Sequence, residues 1–390
     1  MPVKNRLAQM QDEIAGWRRE IHRHPELSFD LPRTVALVVE KLTAFGVDSI
    51  TTGVGRSGVV AEIRGQSTRS GRAIGLRADM DALPIPEATG LAHASEVPGR
   101  MHACGHDGHT AMLLGAAKYL AETRNFDGTA VLIFQPAEED AGGGLEMCRD
   151  GLMERWGIEE VYGMHNVPGL RAGSFATRAG PLMASCDEFE IVVTGPGGHA
   201  AAPQTTVDAT LVAAQILIAL NMIVSRGLAP TQRAVLSVPV FETDTAVTNI
   251  LARSVRLKGT LRALDPEVRP LIEDRLRRIA VDTAHAHGAT AEVNWEASYP
   301  VTVNSATEVV HALEAARAVT DDVDDDAEPL MPCEDFAYML QERPGAYMFI
   351  GNGDSSGLHT PTYDFDDRLI PVGCSWFAEL IERRMPATQD

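Results

Sequence analysis

The stretch His102-Ala-Cys104-Gly-His106-Asp107-Gly-His109 gathers three imidazoles, a thiol and a carboxylate within a few residues. Alternate side chains of a strand or extended loop point to one side, so Cys104 and His106 are expected to face one spot. A thiolate and a neutral imidazole there suit a zinc-like divalent cation. Three further segments carry ligand-type residues. Phe134-Gln-Pro-Ala-Glu138-Glu139-Asp140 follows a predicted strand and precedes Gly142-Gly-Gly144. Tyr162-Gly-Met164-His165-Asn166 puts a histidine after an apolar run, and Ser355-Ser-Gly-Leu-His359-Thr360-Pro361 puts another in a loop near the C-terminus. Of two adjacent glutamates, one can hold a cation while the other takes a proton from water.

Together Cys104, His106, Glu139, His165 and His359 offer five ligands, too many for one tetrahedral zinc with an open position and suited to two cations sharing a bridge. Cys104 is the natural bridge, because a thiolate sulfur can bind two cations that in turn keep it deprotonated. Asp81, in Arg77-Ala-Asp-Met-Asp81-Ala-Leu-Pro84, ends a predicted strand and is expected to fix the tautomer of a ligand histidine; a plain turn or cap aspartate is the alternative.

A chain of 390 residues is long for a single core, so two domains are expected. A hydrophobic share of 45% with 23% charged residues describes a water-facing globular protein. The net charge of −20 argues against binding nucleic acid or an anionic membrane surface. No uninterrupted apolar stretch reads as a bilayer span and the N-terminus has no apolar signal core. The cysteines at 104, 148, 186, 333 and 374 are scattered and odd in number, which fits a reducing cytoplasm rather than a disulfide framework.

The pattern predicts helices over Asn5–Glu20 and Pro32–Phe45, the second closed by Gly46, then strands at Gly58–Ile63 and Ala73–Leu76. A helix at Thr110–Leu120 and a strand at Gly128–Phe134 continue an alternating α/β texture. Near Ser185 the texture changes. Strand Glu188–Thr194, helix Val207–Val224, strands Val235–Phe241 and Val255–Leu261, helix Pro266–Gly288 and strand Ala291–Trp295 give the β-α-β-β-α-β order of a ferredoxin-like fold. The fold class is therefore α/β: a mixed-sheet domain that carries the ligand-type residues, 1–181 and 298–390, with an α+β ferredoxin-like domain inserted at 182–297. The acidic run Asp321–Asp326 reads as a solvated loop.

These motifs, in this order, resemble the metal-dependent aminoacylases of the hippurate hydrolase and auxin-conjugate hydrolase group, within the peptidase family that includes carboxypeptidase G2. The resemblance runs from His22-Arg-His24-Pro25-Glu26 through Arg77–Pro84, Met101–His109, Gln135–Glu139, Gly163–Asn166 and Gly197-Gly-His199 to Leu358-His359-Thr360-Pro361. It implies that Cys104, His106, Glu139, His165 and His359 bind two divalent metals (zinc or manganese ahead of nickel or cobalt) and that Glu138 is the catalytic base. It implies that the inserted domain mediates a homodimer or homotetramer. His199 matches a histidine that polarises the scissile carbonyl in relatives, often across subunits, while Asn249 and Arg262 match positions that hold the substrate carboxylate, for which a guanidinium fork is well shaped. The chain departs from the family pattern at Gln204, at Glu242-Thr-Asp-Thr245 and at Pro332-Cys333, which bears on substrate choice more than on hydrolysis.

The resulting expectation is a cytoplasmic amidohydrolase that splits N-acyl amino acids, hippurate-like or N-acetylated, into a carboxylate and a free amino acid. An N-acetyl-diaminopimelate-type deacetylase and a dipeptidase or carboxypeptidase share the machinery. A non-catalytic metal scaffold would not need Glu138 beside Glu139, and a cysteine hydrolase using Cys104 would survive metal removal.

Overall fold

The computed structural model describes residues 4–387. The chain divides into two compact units: one takes the described parts of 1–182, 303–328 and 335–390, the other 183–302 with 329–334. The inserted unit is therefore longer at its C-terminal side than the expected 182–297, and it recruits a second short segment. That segment joins by backbone pairing: Met183 bridges Leu330, and the Ala184 N–H donates to the carbonyls of Leu330 and Pro332.

The larger unit is built on an eight-stranded sheet, in the order Ser49–Val54, Gly58–Arg64, Thr129–Gln135, Ala73–Asp79, Glu160–Val167, Gly345–Gly351, Phe175–Ala176, Val323–Asp324. The four strands from Thr129–Gln135 to Gly345–Gly351 run parallel, an antiparallel neighbour flanks them on each side (Gly58–Arg64 and Phe175–Ala176), and Ser49–Val54 and Val323–Asp324 form the edges. Ala73–Asp79 and Gly345–Gly351 are buried along their whole length, as the unbroken apolar runs of a parallel sheet require. Helix His106–Thr123 packs against Gln11–Arg23 and Ile370–Arg384. Its positions from His106 to Ala117 are all buried, so it is a core helix rather than an amphipathic one. Trp376, the largest fully buried side chain, satisfies its indole N–H on the Ala312 carbonyl at 3.0 Å.

Three sequence expectations are revised here. The helix expected over Asn5–Glu20 is two helices, Asn5–Gln9 and Gln11–Arg23, because the Met10 N–H bonds back only three residues to Leu7 and tightens the turn. The strand Ser49–Val54 went unread, since half-exposed Ser-Ile-Thr-Thr-Gly-Val carries little apolar signal. Helix Pro32–Phe45 ends as expected, on Gly46 at φ 71°. The acidic run is not a plain loop: Val323–Asp324 pairs with Phe175–Ala176 as the edge strand of the sheet, while its carboxylates face solvent and pair with Arg171, Arg178 and Arg317.

The second unit has an antiparallel sheet in the order Ala234–Thr243, Ser254–Ala263, Ser185–Thr194, Thr290–Ala297, with helices Ala209–Gly227 and Val268–Ala286 between strands in the expected β-α-β-β-α-β succession. Phe189, Ile191, Val193, Leu257 and Leu261 meet Val212, Ile216, Leu220, Ile272 and Leu276 in a separate core. Asp208 caps the first helix by accepting the N–H groups of Thr210 and Leu211. That helix, contrary to the sequence expectation, is long and apolar enough to cross a membrane by length and composition. Its buried face, Val212, Ala213, Ile216, Leu220 and Ile223, lines this core, while Leu211, Ile218 and Met222 stay exposed.

Candidate metal centre

The ligand-type residues of the larger unit lie at or just beyond the C-terminal ends of the parallel strands, where α/β sheets place their sites. Asp79 closes Ala73–Asp79, with Asp81 two residues on. Glu138 and Glu139 follow Thr129–Gln135, His165 lies near the end of Glu160–Val167, and His359 is in the loop after Gly345–Gly351. Two backbone positions are strained there: Ala137 at φ 53° and His359 at φ 59°. A non-glycine residue in that region costs about 1–3 kcal/mol, a price the surrounding contacts must offset.

Cys104 and His106 do converge, but not by strand alternation. His106 is the first residue of helix His106–Thr123, and Gly105 before it turns the chain at φ 98°. A Cβ at Gly105 would run into the Asn166 amide and the Tyr363 hydroxyl, so glycine is required both for the turn and for the space.

The Cys104 sulfur lies 3.4 Å from His165 Nε2 and 3.3 Å from His359 Nε2. His359 Nε2 is 3.4 Å from Glu139 Oε2, and His106 Nε2 is 3.8 Å from Glu139 Oε1 and 4.0 Å from Glu138 Oε2. Cys104 thus belongs to two clusters, one with His106 and His165 and one with Glu139 and His359. In two histidines a hydrogen bond orients Nε2 toward the cluster: His106 Nδ1 pairs with the Asp81 carbonyl at 2.9 Å and His165 Nδ1 with the Asn166 carbonyl at 2.7 Å.

This donor set fits a pair of cations. Buried His106 Nε2 and Glu139 Oε1 face each other without a hydrogen-bond partner, an arrangement that costs free energy unless something positive lies between them. Burial, with Glu139 and Glu138 adding to it, holds the Cys104 thiol well above its usual range, so only a bound cation would make it a thiolate. Burial and then His109 hold His165 well below the usual histidine value, neutral and ready to coordinate.

Asp81 meets the expected histidine and does more besides. Its backbone carbonyl pairs with His106 Nδ1 at 2.9 Å and its carboxylate lies 3.4 Å from the same nitrogen, while that carboxylate also accepts the N–H groups of Glu138 and Glu139, each at 3.1 Å. Burial pushes its carboxyl up, while His106 and the Glu139 N–H pull it down. Asp81 therefore fixes the backbone that carries both glutamates.

Sequence reasoning missed the support behind the cluster. His109 is held by Asp79 at 2.6 Å on Nδ1 and by the Asn166 amide at 2.7 Å on Nε2, and Asp79 also takes Arg77 at 2.7 Å. Asp107, beside His106, is pinned by His22 Nδ1 at 2.8 Å and by Arg18, which also reaches Asp364 and Asp367. Burial opposes the His22 cation, but Asp107 and then Glu87 hold it protonated up to about 9. Glu26 accepts the first N–H groups of helix Pro32–Phe45, from Arg33 and Thr34. The His22-Arg-His24-Pro25-Glu26 motif thus contributes a brace and a helix cap, and its ordered spacing was the only signal of either.

His199, Asn249 and Arg262 lie in the inserted unit. Gly198–His199 pairs with Ile250–Leu251, and the Asn249 carbonyl accepts the Ala200 N–H. His199 is exposed, and its Nδ1 accepts the Ala201 N–H at 3.1 Å, which leaves Nε2 as a donor. Arg262, on Ser254–Ala263, rests on the Thr260 hydroxyl at 2.6 Å.

Residues 75–383 match the description of peptidase family M20/M25/M40. The chain is 39% identical to a hippurate hydrolase of Campylobacter jejuni, over 96% of this chain and 97% of that one. It is 38% identical to an N-acetylcysteine deacetylase of Bacillus subtilis, over 94% and 95%. A solved dinuclear metal binding peptidase of Bacillus subtilis superimposes with a TM-score of 0.86 at 34% identity, covering 98% of this chain and all of that one.

Proposed function

The chain belongs to peptidase family M20/M25/M40 and is a metal-dependent hydrolase of amide bonds that holds two metal ions, and we propose that it cleaves N-acyl amino acids to a carboxylate and a free amino acid. The observation that carries this reading is the sharing of Cys104 between two ligand clusters with a glutamate beside them. In it Cys104, His106, Glu139, His165 and His359 hold the two metals, with zinc or manganese suited to the mixed thiolate, imidazole and carboxylate donors. When bound, the metals supply Lewis acidity toward the water and the amide carbonyl.

The chain's own residues do the rest. Glu138 takes a proton from the attacking water and returns it to the leaving nitrogen. Asp81 keeps Glu138 and Glu139 in place through their backbone N–H groups. His199, with Nε2 as donor, receives the developing negative charge on the carbonyl oxygen, and Arg262 and Asn249 hold the substrate carboxylate. A relative named as an N-acetyldiaminopimelate deacetylase supports the same chemistry on an acetyl group, and one named as a carboxypeptidase supports the peptide-cleaving alternative.

The assembly we propose is a homodimer or a homotetramer through the inserted unit, in a reducing cytoplasm. Support comes from the exposed Leu211, Ile218 and Met222 of its first helix, and from the edge strand Ala234–Thr243, which exposes Val235 and Phe241. The test is a steady-state assay on hippurate and a panel of N-acetyl amino acids, with metal content measured alongside. Hydrolysis of these, abolished by chelation, is expected; turnover of unblocked dipeptides alone would overturn the substrate assignment.

A further inference from the structure

Two half-buried cysteines of the inserted unit meet where the chain departs from its family pattern. Cys186 lies on strand Ser185–Thr194, its carbonyl accepting the Ser298 N–H and its own N–H bonded to Tyr299. Cys333 follows Pro332, whose carbonyl accepts the N–H of Ala184, only two residues before Cys186. The backbone therefore holds the two sites in register, with the Cys186 and Cys333 side chains within hydrogen-bonding reach of each other. Arg262 stands opposite Cys186 on the neighbouring strand.

We propose that Cys186 and Cys333 form a reactive dithiol that closes to a disulfide by exchange with a small-molecule disulfide of the glutathione type. The Cys186 thiolate attacks one sulfur of the reagent, forming a mixed disulfide and expelling one thiolate. Cys333 gives up its proton and attacks the Cys186 sulfur, expelling the second. The two protein thiols lose two electrons, the reagent gains them, and the two protons end on the two released thiols.

Reactivity should concentrate at this pair. The Cys333 hydrogen bond draws the Cys186 thiol below its usual range, against the opposing effect of burial, and Arg262 adds to the pull. Burial instead drives Cys148 up to about 12 and Cys374 well above the usual range, so both are poor nucleophiles.

The test treats metal-loaded enzyme with oxidised glutathione, then counts thiols and maps peptides without reduction. The wild type should lose two thiols, gain a peptide linking Cys186 to Cys333, retain no glutathione there and recover both thiols with dithiothreitol. Cys333→Ser should stop at one glutathione on Cys186, and in Cys186→Ser the reaction of Cys333 should be slower than that of Cys186 in Cys333→Ser by about threefold or more. Separate glutathione adducts on both wild-type cysteines, unreacted thiols at both, or equal rates in the two variants would overturn the proposal.

Discussion

The sulfur of Cys104 and Nε2 of His359 lie 3.3 Å apart although 255 positions separate them in the chain. Neither is placed by its neighbours alone: a glycine turn at Gly105 carries one, and a left-handed backbone at His359 the other. The bridge reading makes Cys104 the residue on which both metal clusters depend.

Cys104→Ser should lose most bound metal and activity together, because a hydroxyl is a poor bridging ligand at neutral pH. Metal analysis of the purified variant, beside its kcat, checks this. Full occupancy with full turnover would show that the thiol is dispensable.

The paired glutamates should separate in the same two measurements. Glu138→Gln is expected to keep its metal and lose about 10²–10⁴ in kcat, the contribution of a positioned base. Glu139→Gln should lose metal first, with turnover restored in part by excess metal. The reverse pattern would exchange their roles.

Much of this was legible beforehand. Helix Pro32–Phe45 carries its own stop at Gly46, and the buried strands read as apolar runs, so the sheet and the order of ligand segments follow from local sequence. What was not legible depends on distant partners. Nothing near Asp107 announces His22, 85 positions away, and nothing near Asp81 says that its carboxylate serves the backbone of Glu138 and Glu139. Cys104 and His106 were matched for the wrong geometric reason: a helix start after glycine does the work assigned to strand alternation.

The His22–Asp107 brace gives a pH-dependent stability. His22 is held protonated up to about 9 against an ordinary 6.5, so its contribution is complete below 6.5 and fades as pH rises through 9. His22→Gln should lower unfolding free energy by on the order of 3 kcal/mol near pH 6, from a shift of that size, and by much less above pH 10. Chemical denaturation at both pH values checks this; a difference independent of pH would mean that His22 is neutral in the folded protein.

His199→Ala should leave metal content intact and reduce kcat about a hundredfold or more, as loss of one oxyanion donor does. Mixing it with Glu138→Gln chains tests for action across subunits: recovered activity assigns His199 to the partner's chemistry. No recovery, with subunit exchange verified, assigns it to its own chain or removes it from catalysis.

The central claim, hydrolysis by a two-metal centre bridged at Cys104, is tested most directly by titrating metal into chelated wild-type enzyme while following amide hydrolysis. The account predicts a metal-free protein without activity that binds two divalent ions per chain and regains turnover as both are filled. Full hydrolysis by the metal-free protein, or saturation of activity and binding at a single ion, would contradict it.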